Sequence, residues 1–304
     1  MTSAAGAAIG ATQRGILTMI LAVFLFTAMD ATAKGLIALY PLPQVVWARF
    51  VGQLVIVLIW LGPRTLTALR TRHPFWHLIR SVTQFGSTAL FFGSLSFIGL
   101  AEATALADIN PVLITLGAAL FLGEPLRRSR VIGVLVAMIG ALIVIRPGSG
   151  VFTLAAVLPL ATAVTYAINV LVTRHIGQRE TPWASMIYAA AFGAALSSLA
   201  LPWGWAPVAL ADGWRFVLLG LLGAGAQLCI IRAFALAEAS VLAPYAYCGI
   251  LFATCWGMLL YGEFPDVWTL AGALVIVASG LYVWSQDRKP RPQTPDLPLD
   301  PDQK

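Results

Sequence analysis

Charge is what this chain has least of. Of its 304 residues only 11% are Asp, Glu, Lys or Arg, where a soluble domain carries roughly 25%. That is too little to coat a globule of this size with groups that satisfy water, so a soluble fold is excluded. Cysteine is scarce as well. Cys229, Cys248 and Cys255 lie inside apolar runs, without paired or metal-like spacing, and read as reduced packing residues. Neither His-Glu-x-x-His nor Gly-x-Ser-x-Gly occurs, which argues against a membrane-embedded hydrolase. His73 and His77 have ligand spacing but no evident third ligand, and Gly220, Gly223 and Gly225 lie within an apolar run rather than in a phosphate loop. No enzyme activity, metal or cofactor is expected.

What fills the chain instead is apolar surface, 59% hydrophobic with a mean hydropathy of +0.85. A hydrocarbon core of about 30 Å needs about 20 helical residues. Ten stretches qualify: 16–39, 44–62, 80–99, 103–122, 130–146, 151–173, 183–201, 214–236, 240–261 and 267–285. The fold class is therefore an all-α membrane protein of ten transmembrane helices. Pro and Gly punctuate the gaps, as in Arg146-Pro147-Gly148, and Trp and Tyr gather at the ends of the stretches, as an interfacial belt should. The first stretch follows 13 small, uncharged residues and is expected to stay in the membrane rather than be cleaved. The Pro- and Asp-rich 286–304 reads as a disordered tail.

A net charge of +6 could speak for nucleic acid, but the bases do not line one face. Arg64, Arg70, Arg72, Arg127, Arg128, Arg174 and Arg179 fall in alternate gaps, and Arg288, Lys289 and Arg291 in the tail. That is the positive-inside pattern. It predicts an inner, cytoplasmic membrane location with both termini cytoplasmic, residues 1–15 included, and the partners open to such a chain are lipids, a small-molecule substrate and a second copy of itself.

An internal repeat sets the architecture. A shift of 139 residues brings Asp30 onto Asn169, Pro43 onto Pro182, Gly86 onto Gly225, Gly123-Glu124 onto Gly262-Glu263 and Gly133 onto Gly272; Ala101-Glu102-Ala103 meets Ala237-Glu238-Ala239 after a slip of three. The halves are 16–146 and 151–285. Five helices per half is an odd number, so the second half must enter the membrane upside down. Inverted repeats characterise alternating-access carriers, which hold substrate near the midplane at the repeat interface.

These paired repeats, each ending its fourth helix in Gly-Glu before a Gly-punctuated fifth, resemble the EamA-type drug/metabolite transporter superfamily over about residues 14–285. Met29-Asp30-Ala31-Thr32-Ala33-Lys34, Trp47-Ala48-Arg49-Phe50, Ala243-Pro244-Tyr245-Ala246-Tyr247 and Gly262-Glu263-Phe264-Pro265-Asp266 are similar to the branch of S-adenosylmethionine and riboflavin uptake carriers. The resemblance implies a central cavity lined by helices one to four and six to nine, with helices five and ten mainly structural. The function expected is a secondary carrier of a small polar or aromatic metabolite; a channel-like facilitator is the alternative.

Charged groups within a membrane need a partner or a purpose. Asp30 and Lys34, four apart, share a helix face, with Arg49, Asp108 and Asn110 expected at a similar outer depth. Together they form either a substrate or gating cluster or an ion-pair lock between helices. Asn169 mirrors Asp30 nearer the cytoplasm, with Arg174 beyond it and Arg232 as the other deep base. Tyr166, Tyr245, Tyr247, Gln84 and Gln227 are candidates for a recognition surface, or for helix packing with satisfied hydroxyls. Pro111 and Pro244 either free carbonyls into a cavity or only kink their helices.

Overall fold

The computed structural model describes residues 2–69, 71, 73–121, 128–145, 156–176, 181–236, 242 and 245–287. Its helices are α1 (Thr2–Ile37), α2 (Leu42–Leu61), α3 (Pro74–Ser94), α4 (Leu100–Ala107), α5 (Asn110–Phe121), α6 (Arg128–Ile145), α7 (Val157–Ile176), α8 (Pro182–Ala200), α9 (Gly213–Leu236), α10 (Cys248–Tyr261) and α11 (Val267–Asp287). Because α4 and α5 are two pieces of one span, the described helices make ten crossings.

Local chemistry sets most of the ends. Pro41 precedes α2 in extended conformation, and Gly62 closes it at φ +51°. Pro74 opens α3, where its missing N–H would have found no partner anyway. Thr181 caps α8, its hydroxyl accepting the Ala184 N–H at 3.3 Å. At the end of α10, Gly262 is left-handed at φ +64°, which lets the Glu263 N–H return to the Gly257 carbonyl at 3.0 Å. A side chain is strained in that conformation. The Gly-Glu motif is thus a helix stop that delivers a carboxylate.

Six described helical stretches are long and apolar enough to span a membrane, and 131–144, 157–173 and 248–261 are shorter apolar helices. Only α3 belongs to neither group, because one of its faces is polar: His77, Arg80, Ser81, Ser87, Thr88 and Ser94 are all buried. Large apolar side chains instead face outward, among them Ile59, Leu135, Leu142, Leu251, Leu259 and Leu274. This is the surface lipid requires, and far more apolar patch than a soluble monomer tolerates.

Contacts between helices follow the repeat. α1 packs on α9, and its counterpart α7 on α3; α2 packs on α9 as α8 packs on α3; α6 packs on α11, and α2 on α8. Exchanging the two halves leaves this pattern unchanged. With five crossings per half, the halves are inverted copies about a two-fold axis in the membrane plane. The α6–α11 seam shows it at atomic scale. The Ser279 hydroxyl donates to the Gly133 carbonyl at 2.6 Å, while the symmetry-related Gly272 and Gly140 pack backbone to backbone. Small residues bring the helices close elsewhere too: a Cβ on Gly52 would stand 2.7 Å from the Gly220 Cα.

Two boundaries differ from expectation in ways that matter. The third crossing begins at Pro74 rather than at 80, which moves Arg80 from the membrane mouth to the second turn. The fourth crossing is not continuous but breaks at Asp108 and Ile109.

Candidate functional site

At the end of the bundle where α1 finishes, the inter-helix turns are stitched together across both repeats. The Lys34 ammonium lies 2.6 Å from Glu263 Oε1 and donates to the Ile98 carbonyl at 2.9 Å. Glu263 Oε2 accepts the Leu100 N–H at 3.0 Å, at the start of α4, where the helix dipole favours a carboxylate. Beside them the Tyr261 hydroxyl donates to the Ala31 carbonyl. Further out, the Tyr40 hydroxyl donates to Asp212 at 2.9 Å and accepts the Ala209 N–H at 3.1 Å. The Gln44 amide makes two hydrogen bonds to the Ala206 backbone, at 3.0 and 3.1 Å.

The expected Asp30–Lys34 pair does not form. A carbonyl and a carboxylate from the loops after α3 and α10 outcompete one carboxylate a turn away, so the long Lys34 side chain goes to them. Asp30 instead has Arg49 of α2 as its electrostatic counterpart, without closing a direct ion pair. Arg49 is 3% exposed, its guanidinium 4.7 Å over the Phe50 ring. Its Nε and Nη1 have no hydrogen-bond partner.

Asp108 does not join them, and the single outer cluster resolves into separate sites. Asp108 sits at the break of the fourth crossing, eight residues in from Leu100, or about 12 Å into a core of about 30 Å. Pro111 causes the break, since it lacks the N–H that would have bonded the Ala107 carbonyl. Asn110 repairs the loss: its amide donates to that carbonyl at 2.9 Å. Asn110 is therefore a cap rather than a member of the charge cluster. By the shift of 139, Asp108 lies on Tyr247, the turn residue just before α10, and the two interact electrostatically. Both carry a buried oxygen without a partner, Asp108 Oδ2 and Tyr247 Oη. The Tyr247 ring tip occupies the space a side chain on Gly280 of α11 would take, so the tenth crossing shapes this site as well as supporting the fold.

Tyr166 of α7 lies within electrostatic reach of both Asp108 and Arg80. Tyr166, Asn169 and Thr173, spaced by three and four, share one helix face. There the Arg80 Nε donates to the Thr173 hydroxyl at 2.8 Å, that hydroxyl donates to the Asn169 carbonyl at 2.7 Å, and the Asn169 amide donates to the Arg80 carbonyl at 2.8 Å. The Arg80 Nη1 remains unpartnered. Asn169 thus belongs to a second polar site, which has Arg80 as its base.

The remaining candidates lie apart. Gln84, one turn beyond Arg80, and Gln227 are half-buried, whereas Arg232 is exposed and does not serve as a deep base. Tyr245 packs beside Met19, Val23, Ala233 and Leu242, whereas the Tyr247 ring reaches Gly280 of α11. Glu124, Pro244, the Ala237-Glu238-Ala239 turn and the Arg174 side chain lie outside the described residues. Among the described residues no group of three His, Cys, Asp or Glu is placed to hold a metal. Arg80 and Glu263 were not foreseen as site residues. The stripe His77, Arg80/Ser81, Gln84, Ser87/Thr88 along α3 is the signal that points to Arg80; Glu263 stood only in a repeat motif.

Comparison with known proteins places this geometry. The model of the EamA-like transporter family matches residues 13–146 and 153–285. The pseudopaline exporter CntI of Pseudomonas aeruginosa is 31% identical, over 88% of this chain and 94% of its own length. The riboflavin transporter of Rhizobium johnstonii is 28% identical over 91% and 94%, and the S-adenosylmethionine uptake transporter of Rickettsia bellii 24% over 90% and 94%. A crystal structure that is 19% identical superposes with a TM-score of 0.63, covering 92% of this chain and 99% of that one; it shows the fold alone. The chain belongs to the EamA-like transporter family, it is a membrane transporter of small metabolites rather than an enzyme, and the branch expected from its motifs is among its relatives.

Proposed function

We propose that this EamA-like transporter is an alternating-access carrier of a small, polar, partly aromatic or zwitterionic metabolite, resident in the cytoplasmic membrane with both termini inside. One observation carries the reading: the fourth crossing and the start of α10 are interrupted at symmetry-related positions, and both interruptions present unpartnered buried oxygens, Asp108 Oδ2 and Tyr247 Oη. Irregular backbone at membrane depth is tolerated where it lines a cavity, and carriers built from inverted repeats place their sites at such breaks. Arg80 and Arg49, each with unpartnered donors, suit a carboxylate or another anionic group, and Tyr166 and Tyr247 add aromatic rings within electrostatic reach of Asp108.

Pseudopaline, riboflavin and S-adenosylmethionine are the first solutes to test, because the relatives are named for them. Metabolite comparison of cells lacking and overexpressing the protein widens that set. In proteoliposomes, a carrier accelerates exit of labelled substrate when unlabelled substrate is added outside. Saturable flux without that acceleration would favour a channel-like facilitator instead.

A further inference from the structure

We propose that Asp108 is the proton-binding group of this carrier, with the Tyr247 hydroxyl as its hydrogen-bond partner. The inference deepens the carrier reading by naming the ion its cavity takes, and rests on that reading for its consequence in transport.

Two carboxylates lie well inside the described spans, and they differ in company. Asp30 has the Arg49 guanidinium as its counter-charge. Among the described residues Asp108 has no base against it. Its Oδ2 lies 4.0 Å from where a side chain on Gly249 of α10 would begin, a point that Val23 of α1 and Thr104 of α4 also border. Tyr166 of α7 and Tyr247 are the titratable groups that face it, with the Arg80 charge acting on Tyr166. α6 and α11 contribute Ala137, Ala141 and Ile276, packed with Leu106 and Ile109. A carboxylate in such surroundings must be neutralised by something that arrives from water.

Coordination chemistry selects the arrival. Hard metal ions take about six or more oxygen ligands, whereas the unpartnered oxygens here are Asp108 Oδ2 and Tyr247 Oη. The Ala107 carbonyl freed by Pro111 is already taken by Asn110. A proton needs one oxygen. A phenol also suits both states, since a hydroxyl donates to a carboxylate and accepts from a carboxylic acid. The step balances simply. A proton from water on one side joins Asp108 Oδ2 to give the acid, and leaves from the same oxygen to water on the other side, with no other bond made or broken. The break between α4 and α5 lets that oxygen face either side without unwinding a continuous helix.

The test needs no substrate, so it is independent of whether the carrier reading holds. The purified protein in lipid nanodiscs is stepped between acidic and alkaline pH, and the infrared difference spectrum of the protonated-carboxyl band is recorded. The wild-type band change is expected to vanish in Asp108→Asn, persist in Asp30→Asn and move in frequency in Tyr247→Phe. Should Asp108→Asn fail to fold, Asp108→Glu serves, with the band displaced rather than lost. A band that survives Asp108→Asn, or is unmoved in both Asp108→Glu and Tyr247→Phe, overturns the proposal. Absent counterflow with an intact Asp108 band would sink the carrier reading alone.

Discussion

The Lys34 ammonium and the Glu263 carboxylate meet at 2.6 Å although 229 positions separate them in the chain. One closes α1 of the first repeat and the other follows α10 of the second, and Glu263 also holds the first N–H of α4. Three crossings are thus fastened at one end of the bundle by a single carboxylate. Its side chain is 33% exposed and that of Lys34 11%, so the pair is worth less than a fully buried one.

Glu263→Gln is therefore expected to lower stability by about 1–2 kcal/mol, since the amide still accepts from Leu100 but no longer pairs with Lys34. Glu263→Ala should cost more, because the helix cap goes too. If the fastening is a gate, Glu263→Gln also raises labelling of cysteines placed at this end. Thermal melts in detergent and thiol-labelling rates give the two readings, and unchanged labelling in a folded Glu263→Gln protein would leave the pair a purely structural lock.

At the crossing of α2 and α9, backbone meets backbone: a Cβ on Gly52 or on Gly220 would stand 2.7 Å from the other glycine's Cα. Neither backbone can swing aside as a side chain tip can. Gly220→Ala is expected to destabilise by about 1–3 kcal/mol, and Gly220→Leu to prevent folding. The control is Gly213→Ala at the start of α9, where the backbone is not left-handed and nothing lies within reach of a Cβ. A melt of Gly220→Ala equal to wild type would contradict the close crossing.

Asn110 and Pro111 form a coupled pair, because one side chain replaces the hydrogen bond the other removes. Asn110→Ala should leave the Ala107 carbonyl bare and cost about 1–3 kcal/mol. In Asn110→Ala/Pro111→Ala a new N–H at position 111 satisfies that carbonyl, so much of the stability returns. Transport should not return, since the straightened helix loses the break that exposes Asp108. Recovery of both together would show that the break is incidental.

The sequence made the crossings and the inverted repeat legible, because both depend on run length and on periodic Gly, Pro and Glu. It could not show partners. The spacing of Asp30 and Lys34 predicts a local pair, but only the fold brings the Glu263 carboxylate and the Ile98 carbonyl to the same ammonium. Arg80 was hidden for a different reason. A hydropathy window starts a helix where charge ends, so a base inside a span is read as its border. Pro74, a helix-opening residue six positions earlier, marks the true start. Asp108 looked equivalent to Asp30 in depth, and what sets it apart, the absence of a base beside it, exists only in three dimensions.

Inversion itself has a direct check. Reporter fusions after Arg130 and after Asp266 both follow a Gly-Glu motif, yet one begins the fifth crossing and the other the tenth. They are expected on opposite sides of the membrane, cytoplasmic and periplasmic, as the basic residues around 127–130 and their lack around 264–268 require. Equal activity of a cytoplasm-only reporter at both sites would refute the orientation.

The last prediction concerns Asp30 and Arg49, whose charges face each other inside the bundle without a direct ion pair. The unpartnered Nε and Nη1 of Arg49 are the donors a ligand group would use there. Removing either charge strands the other in the membrane, which for closely paired buried ions costs about 3–5 kcal/mol and somewhat less at this separation. Asp30→Asn and Arg49→Gln should each destabilise, and the double variant should be more stable than the sum of the two losses, because no charge is left stranded. Transport separates structure from function. Asp30→Asn copies the residue of the second repeat, Asn169, in shape and hydrogen bonding, so a double variant that melts near wild type yet carries no substrate would give the pair a role in binding. A double variant that both melts and transports normally would reduce Asp30 and Arg49 to a dispensable electrostatic tie between α1 and α2.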